Sequence, residues 1–412
     1  MFVNYAALIR LNAPFFLFSV GGVFFSAPGQ TFLISLAIPA ICESLQISEM
    51  SFATCYSIAT LAASLILPKI GHLIDSWPGQ RMIVFNGVFF GGALAMFAAS
   101  SSLAMLLICL FFMRLFGQGA LTLTASSHTI KRFTKQRALA LSVTQLGYPL
   151  SEFIFPSLFF LLLGWVEWRG AFLIFAIMII IGYCAFSLFG FLHPRPDQPR
   201  TKLTQSPNQS KSLRYVLNDR FFPFYVALSS IPPIMMTAAF YFQVIIFESN
   251  QWDIMSISIG ILCYALTKFI ATIFVGPIIE RNGVVLPLFL LTLFIGIATC
   301  MIAFGGPLFI GFIYYAFYGI GIGASATTMN YLWSLLYGAN HIGEIKGFIA
   351  ILRNGGTAIS PVLFSFFLYQ LGISQPHLFL VSGLLIIGLS FAPFILQYFD
   401  VRIRSSVDLA TK

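Results

Sequence analysis

The chain has 412 residues, of which 58% are hydrophobic and only 8% charged. Soluble domains carry about 25% charged residues, so this composition excludes an ordinary water-soluble globule. The net charge of +9 raises nucleic acid as a partner, and the placement of the basic residues argues against it.

A helix that crosses a bilayer needs about 20 mainly apolar residues. Twelve such stretches follow in chain order: 14–41, 50–70, 82–99, 103–128, 138–163, 171–192, 221–247, 254–275, 284–304, 307–335, 347–370 and 376–398. The first is too long for a signal-peptide core and has no small-residue cleavage site, so it is expected to be retained. All but four of the 22 Lys and Arg fall in the N-terminus, the even-numbered loops or the C-terminus. Arg169 lies in an odd-numbered loop, and Arg114, Lys268 and Arg353 lie inside spans. This bias predicts an integral protein of a plasma or bacterial inner membrane with both termini cytoplasmic. The odd loops instead hold Glu43, Glu49, Glu167, Glu248 and Asp253. The run "KRFTKQR" (131–137) reads as a topology determinant in reach of anionic headgroups, with lipid and not nucleic acid as its partner.

The six cysteines (42, 55, 109, 184, 263, 300) lack metal spacing and read as small packing residues. Cys42 and Cys55 flank the first outer loop, where a disulfide could form.

After His193 the composition changes. "HPRPDQPRTKLTQSPNQSKS" cannot bury itself and reads as a flexible linker; "LRYVLNDRFF" reads as a short surface helix. The expected division is a six-helix half over 1–192, a cytoplasmic linker over 193–220, a second six-helix half over 221–398 and a tail over 399–412. The halves echo each other. Span 2 ends in "GHLIDSWPGQR" (71–81) and span 8 in "GPIIERNG" (276–283). Span 4 carries "RLFGQGALTLTAS" (114–126) and span 10 "FYGIGIGASATT" (317–328); span 5 begins "RALALSVTQLGYPLSE" (137–152) and span 11 "GFIAILRNGGTAISP" (347–361). Parallel six-span repeats that hold a substrate near the midplane are a secondary-transporter plan. The expected fold is an all-α membrane protein of twelve transmembrane helices in two pseudo-symmetric halves, acting as a monomer.

These features resemble the major facilitator superfamily over essentially the whole chain. The loop after span 2 is similar to its signature G-x-L-x-D-x-x-G-x-R in Gly71, Leu73, Asp75, Gly79 and Arg81, with one extra residue between Asp75 and Gly79. The span 8 copy, Gly276, Glu280 and Gly283, keeps the spacing without the closing arginines. Arg114 with "GQG" resembles the span 4 arginine-glycine motif. "SAPGQTFLISLAIPAI" (26–41), "YSIATLAASLILPKIGHLID" (56–75) and "IKRFTKQRALALSVTQLGYPLSEFIFP" (130–156) narrow the resemblance to the monocarboxylate and oxalate–formate carriers. The resemblance implies a latch at Asp75. A carboxylate there can meet the positive end of a helix and a basic side chain, while Gly71 lets helices approach. The plainer reading makes Asp75 and Arg81 solvated loop charges.

Residues four apart share a helix face. Span 4 then shows Arg114, Gln118, Thr122 and Ser126; span 8 shows Gly260, Tyr264, Lys268 and Thr272; span 10 shows Tyr314, Tyr318, Gly321, Ser325 and Thr328. Span 11 groups Arg353, Thr357 and Ser360 beside Asn354, and span 1 offers Ser19, Ser26 and Gln30. Such stripes face a cavity or another helix, not lipid; the uncharged members equally serve close packing.

A cation in the hydrocarbon core costs about 2.5–3.5 kcal/mol on insertion scales. At 1.5 Å per residue, Lys268 and Arg353 lie roughly 12 and 10 Å from the cytoplasmic ends of their spans. Arg114 and Glu152 both lie roughly 21 Å up, which suggests an ion pair, either structural or released when Glu152 takes a proton. Pairing one cation with Glu152 leaves Lys268 and Arg353, for which a travelling anion is the expected counter-charge. The resemblance supports this, since oxalate–formate carriers are similar in placing one basic residue in span 8 and one in span 11. Either side chain could instead reach the interface along its apolar stem.

No phosphate loop, zinc-spaced cluster or nucleophile motif is present in the sequence, so neither an enzyme nor a cofactor is expected. "GIGIG" (319–323) is glycine spacing inside a span, and the histidines at 72, 128, 193, 341 and 377 fall at helix ends or loops. The expected function is secondary active transport of a small mono- or dicarboxylate by alternating access, proton-coupled or by exchange. The expected substrate-binding residues are Lys268, Arg353, Arg114, Gln30, Tyr264, Tyr318 and Asn354, with Glu152 for protons and Gly71, Asp75, Gly79, Arg81, Gly276 and Glu280 for gating. Two other readings stay open: an exporter of an amphipathic drug or siderophore, lined by some of the 47 Phe and 15 Tyr, and a transport-dead sensor on the same fold.

Overall fold

The computed structural model describes residues 2–188, 213–253 and 256–400. The expected linker up to residue 212 and the tail beyond residue 400 lie outside them. All regular structure among the described residues is helical.

Eleven helical segments are long and apolar enough to cross a membrane. They are span 1 (Ala13–Leu45), span 2 (Met50–Ser76), span 3 (Arg81–Ala98), span 4 (Leu103–Arg132), span 5 (Arg137–Leu163), span 7 (Phe222–Tyr241), span 8 (Ile259–Asn282), span 9 (Val285–Phe304), span 10 (Leu308–Tyr337), span 11 (Ile342–Gln370) and span 12 (Gln375–Phe399). Span 6 is the apolar helix Trp168–Leu188 of 21 residues, about 31 Å long. A short helix, Leu213–Leu217, precedes span 7. Large apolar side chains such as Leu65, Phe160, Ile181, Val362 and Leu385 stand exposed, as a hydrocarbon environment allows.

Several boundaries differ from those expected. Spans 2 and 8 continue to Ser76 and Asn282, so Asp75 and Glu280 sit on helical turns and not in loops. Hydropathy ends the span where polar residues begin, but a helix continues while its backbone bonds can be made. Span 7 stops at Tyr241, and Gln243–Ser249 forms a separate helix. Span 11 starts earlier, at Ile342, which draws Lys346 into it. Cys42 and Cys55 are both buried and form no disulfide with each other, so the suggested bridge is absent.

Spans 1 and 4 carry irregular turns that meet. Span 1 is helical over Ala13–Phe24, tightens into a 3₁₀ turn at Ala27–Gly29 and resumes at Thr31–Leu45. Pro28 has no N–H, so the Phe24 carbonyl loses its helical donor. Side chains bridge the break: Ser26 Oγ donates to Val23 O at 2.6 Å, and Gln30 Nε2 to Ser26 Oγ at 3.1 Å. Span 4 widens into π-helical turns over Met113–Leu121. The irregularities touch, because a Cβ on Gly29 would stand 2.7 Å from the Met113 carbonyl oxygen. Only glycine fits there.

The described residues form two compact units. The first draws on Met1–Thr134, Thr144–Val216 and Tyr337–Ile351; the second on Lys135–Val143, Leu217–Leu336 and Leu352–Lys412. The start of span 11 thus belongs with the first unit, and the start of span 5 with the second.

In the first unit Arg169, the basic residue of an odd loop, has a structural task. Its Nη1 donates to Ala98 O at 2.8 Å and Ser100 O at 2.6 Å, and its guanidinium lies 4.6 Å from the Trp168 ring centroid. It closes the C-terminal end of span 3, where carbonyls lack helical partners and a cation is favoured. Arg169→Ala should cost about 1.5–3 kcal/mol, the usual worth of hydrogen bonds to a charged group. The check is a thermal midpoint several degrees lower in detergent, with Arg169→Lys recovering part of the loss.

Candidate functional site

Arg114 is the most enclosed cation of the first unit's interior, with 5% of its surface exposed. Its Nε donates to Thr60 Oγ1 at 3.0 Å; its Nη1 donates to Gly29 O at 3.1 Å and to Thr31 Oγ1 at 3.4 Å. Its Cζ lies 4.8 Å from the Tyr56 ring centroid, within cation–π range. The irregular turns make this possible. The break in span 1 turns the Gly29 carbonyl out of the helical ladder, and the π-turns carry Arg114 up to it. Gln30, between two of these acceptors, is buried and turns its own amide back to Ser26.

Among the described residues the partners of Arg114 are therefore neutral. The ion pair with Glu152 is not formed, and helix register explains why. Thr129 and Thr144 hydroxyls meet at 3.0 Å, which sets span 4 against span 5. From that level Arg114 is fifteen residues along span 4 and Glu152 eight along span 5, an axial mismatch of about 10 Å. Nominal span ends had placed them level. Glu152 itself is half-buried.

The second unit holds the other two cations. Lys268 is buried, with 8% of its surface exposed. Its Nζ lies 5.4 Å from the Tyr264 ring centroid. Span 10 runs close against it: Thr272 donates to Gly323 O at 3.1 Å as well as to Lys268 O. The glycines of "GIGIG" permit that approach. Arg353 is exposed on span 11, beside half-buried Asn354. Further along, Ser360 Oγ donates to Ile234 O of span 7 at 2.9 Å.

Two tyrosines expected to meet substrate are packed instead. Tyr318 is fully buried, its hydroxyl 2.8 Å from Thr299 Oγ1. Tyr264 is buried with its hydroxyl 3.5 Å from Met236 Sδ and its ring beside Phe240. Both belong to an aromatic core with Tyr314, Tyr315 and Trp252. A polar stripe cannot by itself distinguish a cavity face from a face against another helix.

The gating residues form two similar constellations. In the first unit Asp75 accepts from Gly343 N and Glu344 N, both at 3.0 Å, at the first turn of span 11. Lys131 Nζ lies 2.7 Å from the same carboxylate. A carboxylate on a helix N-terminus satisfies donors that have no helical acceptor and faces the positive end of the dipole. Gly71 lies in backbone contact with Gly343, and Lys346 Nζ donates to Ser126 Oγ at the end of the span 4 stripe. Gly79 opens the span 3 helix against the His128 ring, and Arg81 is exposed. In the second unit Glu280 accepts from Ala138 N at 2.9 Å at the start of span 5, Arg137 donates to Ser334 Oγ at 3.3 Å, and Gly276 packs against Ala138 and Ser142.

Sequence reasoning missed Gly29, Thr31, Tyr56 and Thr60 around Arg114. The signal for two of them was available, since Tyr56 and Thr60 are four apart on one face of span 2.

The chain is 24% identical over 381 residues to the hexuronate transporter of Bacillus subtilis (strain 168), covering 85% of this chain and 87% of that protein. It is 26% identical over 174 residues to the uncharacterized MFS-type transporter YfiU of the same organism, 41% of this chain but only 33% of that protein's length. Its fold is similar to that of the human organic anion transporter MFSD10 (TETRAN), with a TM-score of 0.68 at 14% identity over 93% of this chain and 99% of that one. It is likewise similar to the transporter FucP in its outward conformation, with a TM-score of 0.70 at 17% identity over 93% and 98%. The Major Facilitator Superfamily model matches residues 20–361, and the chain belongs to that superfamily: it is an integral, multi-pass membrane transporter.

Proposed function

We propose that this protein carries a small organic anion, a mono- or dicarboxylate, by alternating access. The observation that carries the reading is Arg114, a buried guanidinium whose described partners are neutral. Burying a charge is costly unless an opposite charge joins it. An anion that arrives and departs meets that need without locking the site. The likeness to a hexuronate transporter supports an acid as cargo, and so does the resemblance to the monocarboxylate and oxalate–formate branch. Arg353, exposed on span 11, is a second cation open to a guest. Lys268 contributes field from its buried position, and Gln30 and Asn354 are neutral neighbours of Arg114 and Arg353.

In the same proposal residues 1–192 and 221–398 are the two halves, joined by 193–220 and followed by a tail from 399. Both termini are cytoplasmic in a plasma or bacterial inner membrane, the monomer is the working unit, and Glu152 exchanges protons during the cycle. The Asp75 and Glu280 contacts each join a span of one half to a span of the other, so alternating access requires them to break.

Arg114→Gln should abolish uptake of labelled carboxylates into proteoliposomes, at least tenfold below wild type. Arg114→Lys should also fall well short, because an ammonium's three donors radiate from one nitrogen and cannot reproduce the Nε and Nη1 contacts while leaving a donor for a guest. Arg353→Ala should weaken uptake less. Full uptake by Arg114→Gln across a carboxylate panel, with and without a pH gradient, would sink the anion reading. Asp75→Asn keeps the hydrogen-bonding shape but removes the charge from the helix terminus. It should change maximal flux several-fold while ligand affinity in detergent stays within about twofold, as expected of a conformational contact remote from the bound guest.

A further inference from the structure

We propose that Tyr56 and Thr31 are positioning residues for Arg114, fixing its guanidinium so that one nitrogen, Nη2, alone meets the guest's charge. This rests on the anion reading above and says how the anion is recognised.

A guanidinium carries five N–H donors. Nε gives its hydrogen to Thr60 Oγ1 at 3.0 Å. The two hydrogens of Nη1 go to Gly29 O at 3.1 Å and Thr31 Oγ1 at 3.4 Å. Among the described residues no acceptor engages Nη2. Gly29 and Thr60 are buried, whereas Thr31 is exposed and Tyr56 half-buried.

Tyr56 acts twice. Its ring stands 4.8 Å from Arg114 Cζ, and its hydroxyl lies 2.7 Å from Thr31 Oγ1. Thr31 is therefore held by Tyr56 while it holds Nη1. Thr31 opens the second helical piece of span 1, so the brace ties the restart of span 1 to span 2 and to the guanidinium of span 4.

This has a chemical consequence. A carboxylate usually takes two parallel N–H groups from an arginine fork. Each fork edge that includes Nη2 also needs Nε or Nη1, and both are occupied. The guest then receives hydrogens from a single nitrogen. Such a contact reads negative charge and not the planar shape of a carboxylate, so a tetrahedral sulfonate on the same carbon skeleton is accepted nearly as well. The cargo class is an organic anion defined by its charge and its skeleton.

The test measures uptake of a labelled carboxylate in proteoliposomes, competed by its unlabelled form and by the matching sulfonate. Wild type should be inhibited by the two within about threefold of each other, since both offer a full charge to one donor nitrogen. Tyr56→Phe keeps the ring and removes the hydroxyl, freeing Thr31 and with it one Nη1 hydrogen. It should raise KM about three- to tenfold with maximal flux near wild type, the scale of one hydrogen bond. The ratio of carboxylate to sulfonate inhibition should stay within about threefold of wild type, since an arginine fork serves planar and tetrahedral oxyanions alike. Thr31→Val should do the same, and the double variant should add nothing to either single one. A structural role alone would lower folded yield or maximal flux without raising KM, and Thr31→Ser, which keeps the hydroxyl, should hold KM within about twofold of wild type. Discrimination against the sulfonate beyond tenfold in wild type, or an unchanged KM in both single variants, would overturn the inference and leave the anion reading intact. No uptake of, or competition by, any organic anion would overturn both.

Discussion

The hydrogen bond from Arg114 Nη1 to the Gly29 carbonyl is the interaction on which the interior of the first unit depends. Inside hydrocarbon every backbone polar group must find a partner within the protein. A proline in span 1 breaks the ladder, and a charged side chain from span 4 takes up an exposed carbonyl. The arginine in turn acquires ligands that orient it without neutralising it. One contact therefore makes a broken helix tolerable and leaves a cation unbalanced. Those are the two conditions a binding site for a transient anion requires.

The carboxylate caps at Asp75 and Glu280 obey the same rule in another form. The opening turn of a helix carries N–H groups that no residue of that helix can accept. Span 11 meets this with Asp75, and span 5 with Glu280, each delivered by the last turns of another long helix. Glycine on the delivering helix, at Gly71 one turn before Asp75 and at Gly276 one turn before Glu280, lets the backbones come close enough for the carboxylate to reach. The repeat visible in "GHLID" and "GPIIE" is thus a repeat of capping chemistry, with the extra loop residue after Asp75 taken up in the last helical turn and the bend before Gly79.

Much of this was legible in the chain itself. Hydropathy reveals the spans because the bilayer imposes a length and an apolar surface. The capping carboxylates were legible because their spacing from a glycine repeats. The partners of Arg114 were not, because they come from a break at Pro28 and a π-widening at Met113–Leu121. Helical periodicity assumes neither. The error over Glu152 has the same root: depth counted from nominal ends ignores how far each helix slides along its neighbour. Tyr318 and Tyr264 show a different limit. Their spacing was read correctly as a face, but the face is met by Thr299 and Met236 and not by a cavity.

The first unit takes in Tyr337–Ile351, more than two hundred residues beyond Thr134 in the chain. During synthesis its seat on span 2, at Leu67, Gly71 and Asp75, is built long before the helix that fills it exists. Asp75 and Gly343 are 268 residues apart, so at about 5–20 residues per second that delay is roughly 13–54 s. Biogenesis of this molecule is therefore not a matter of finishing one half and then the other. Asp75 has Lys131 as its partner long before the N–H groups of span 11 reach it, and a nascent protein truncated before span 11 lacks part of a compact body that its N-terminal residues had already begun.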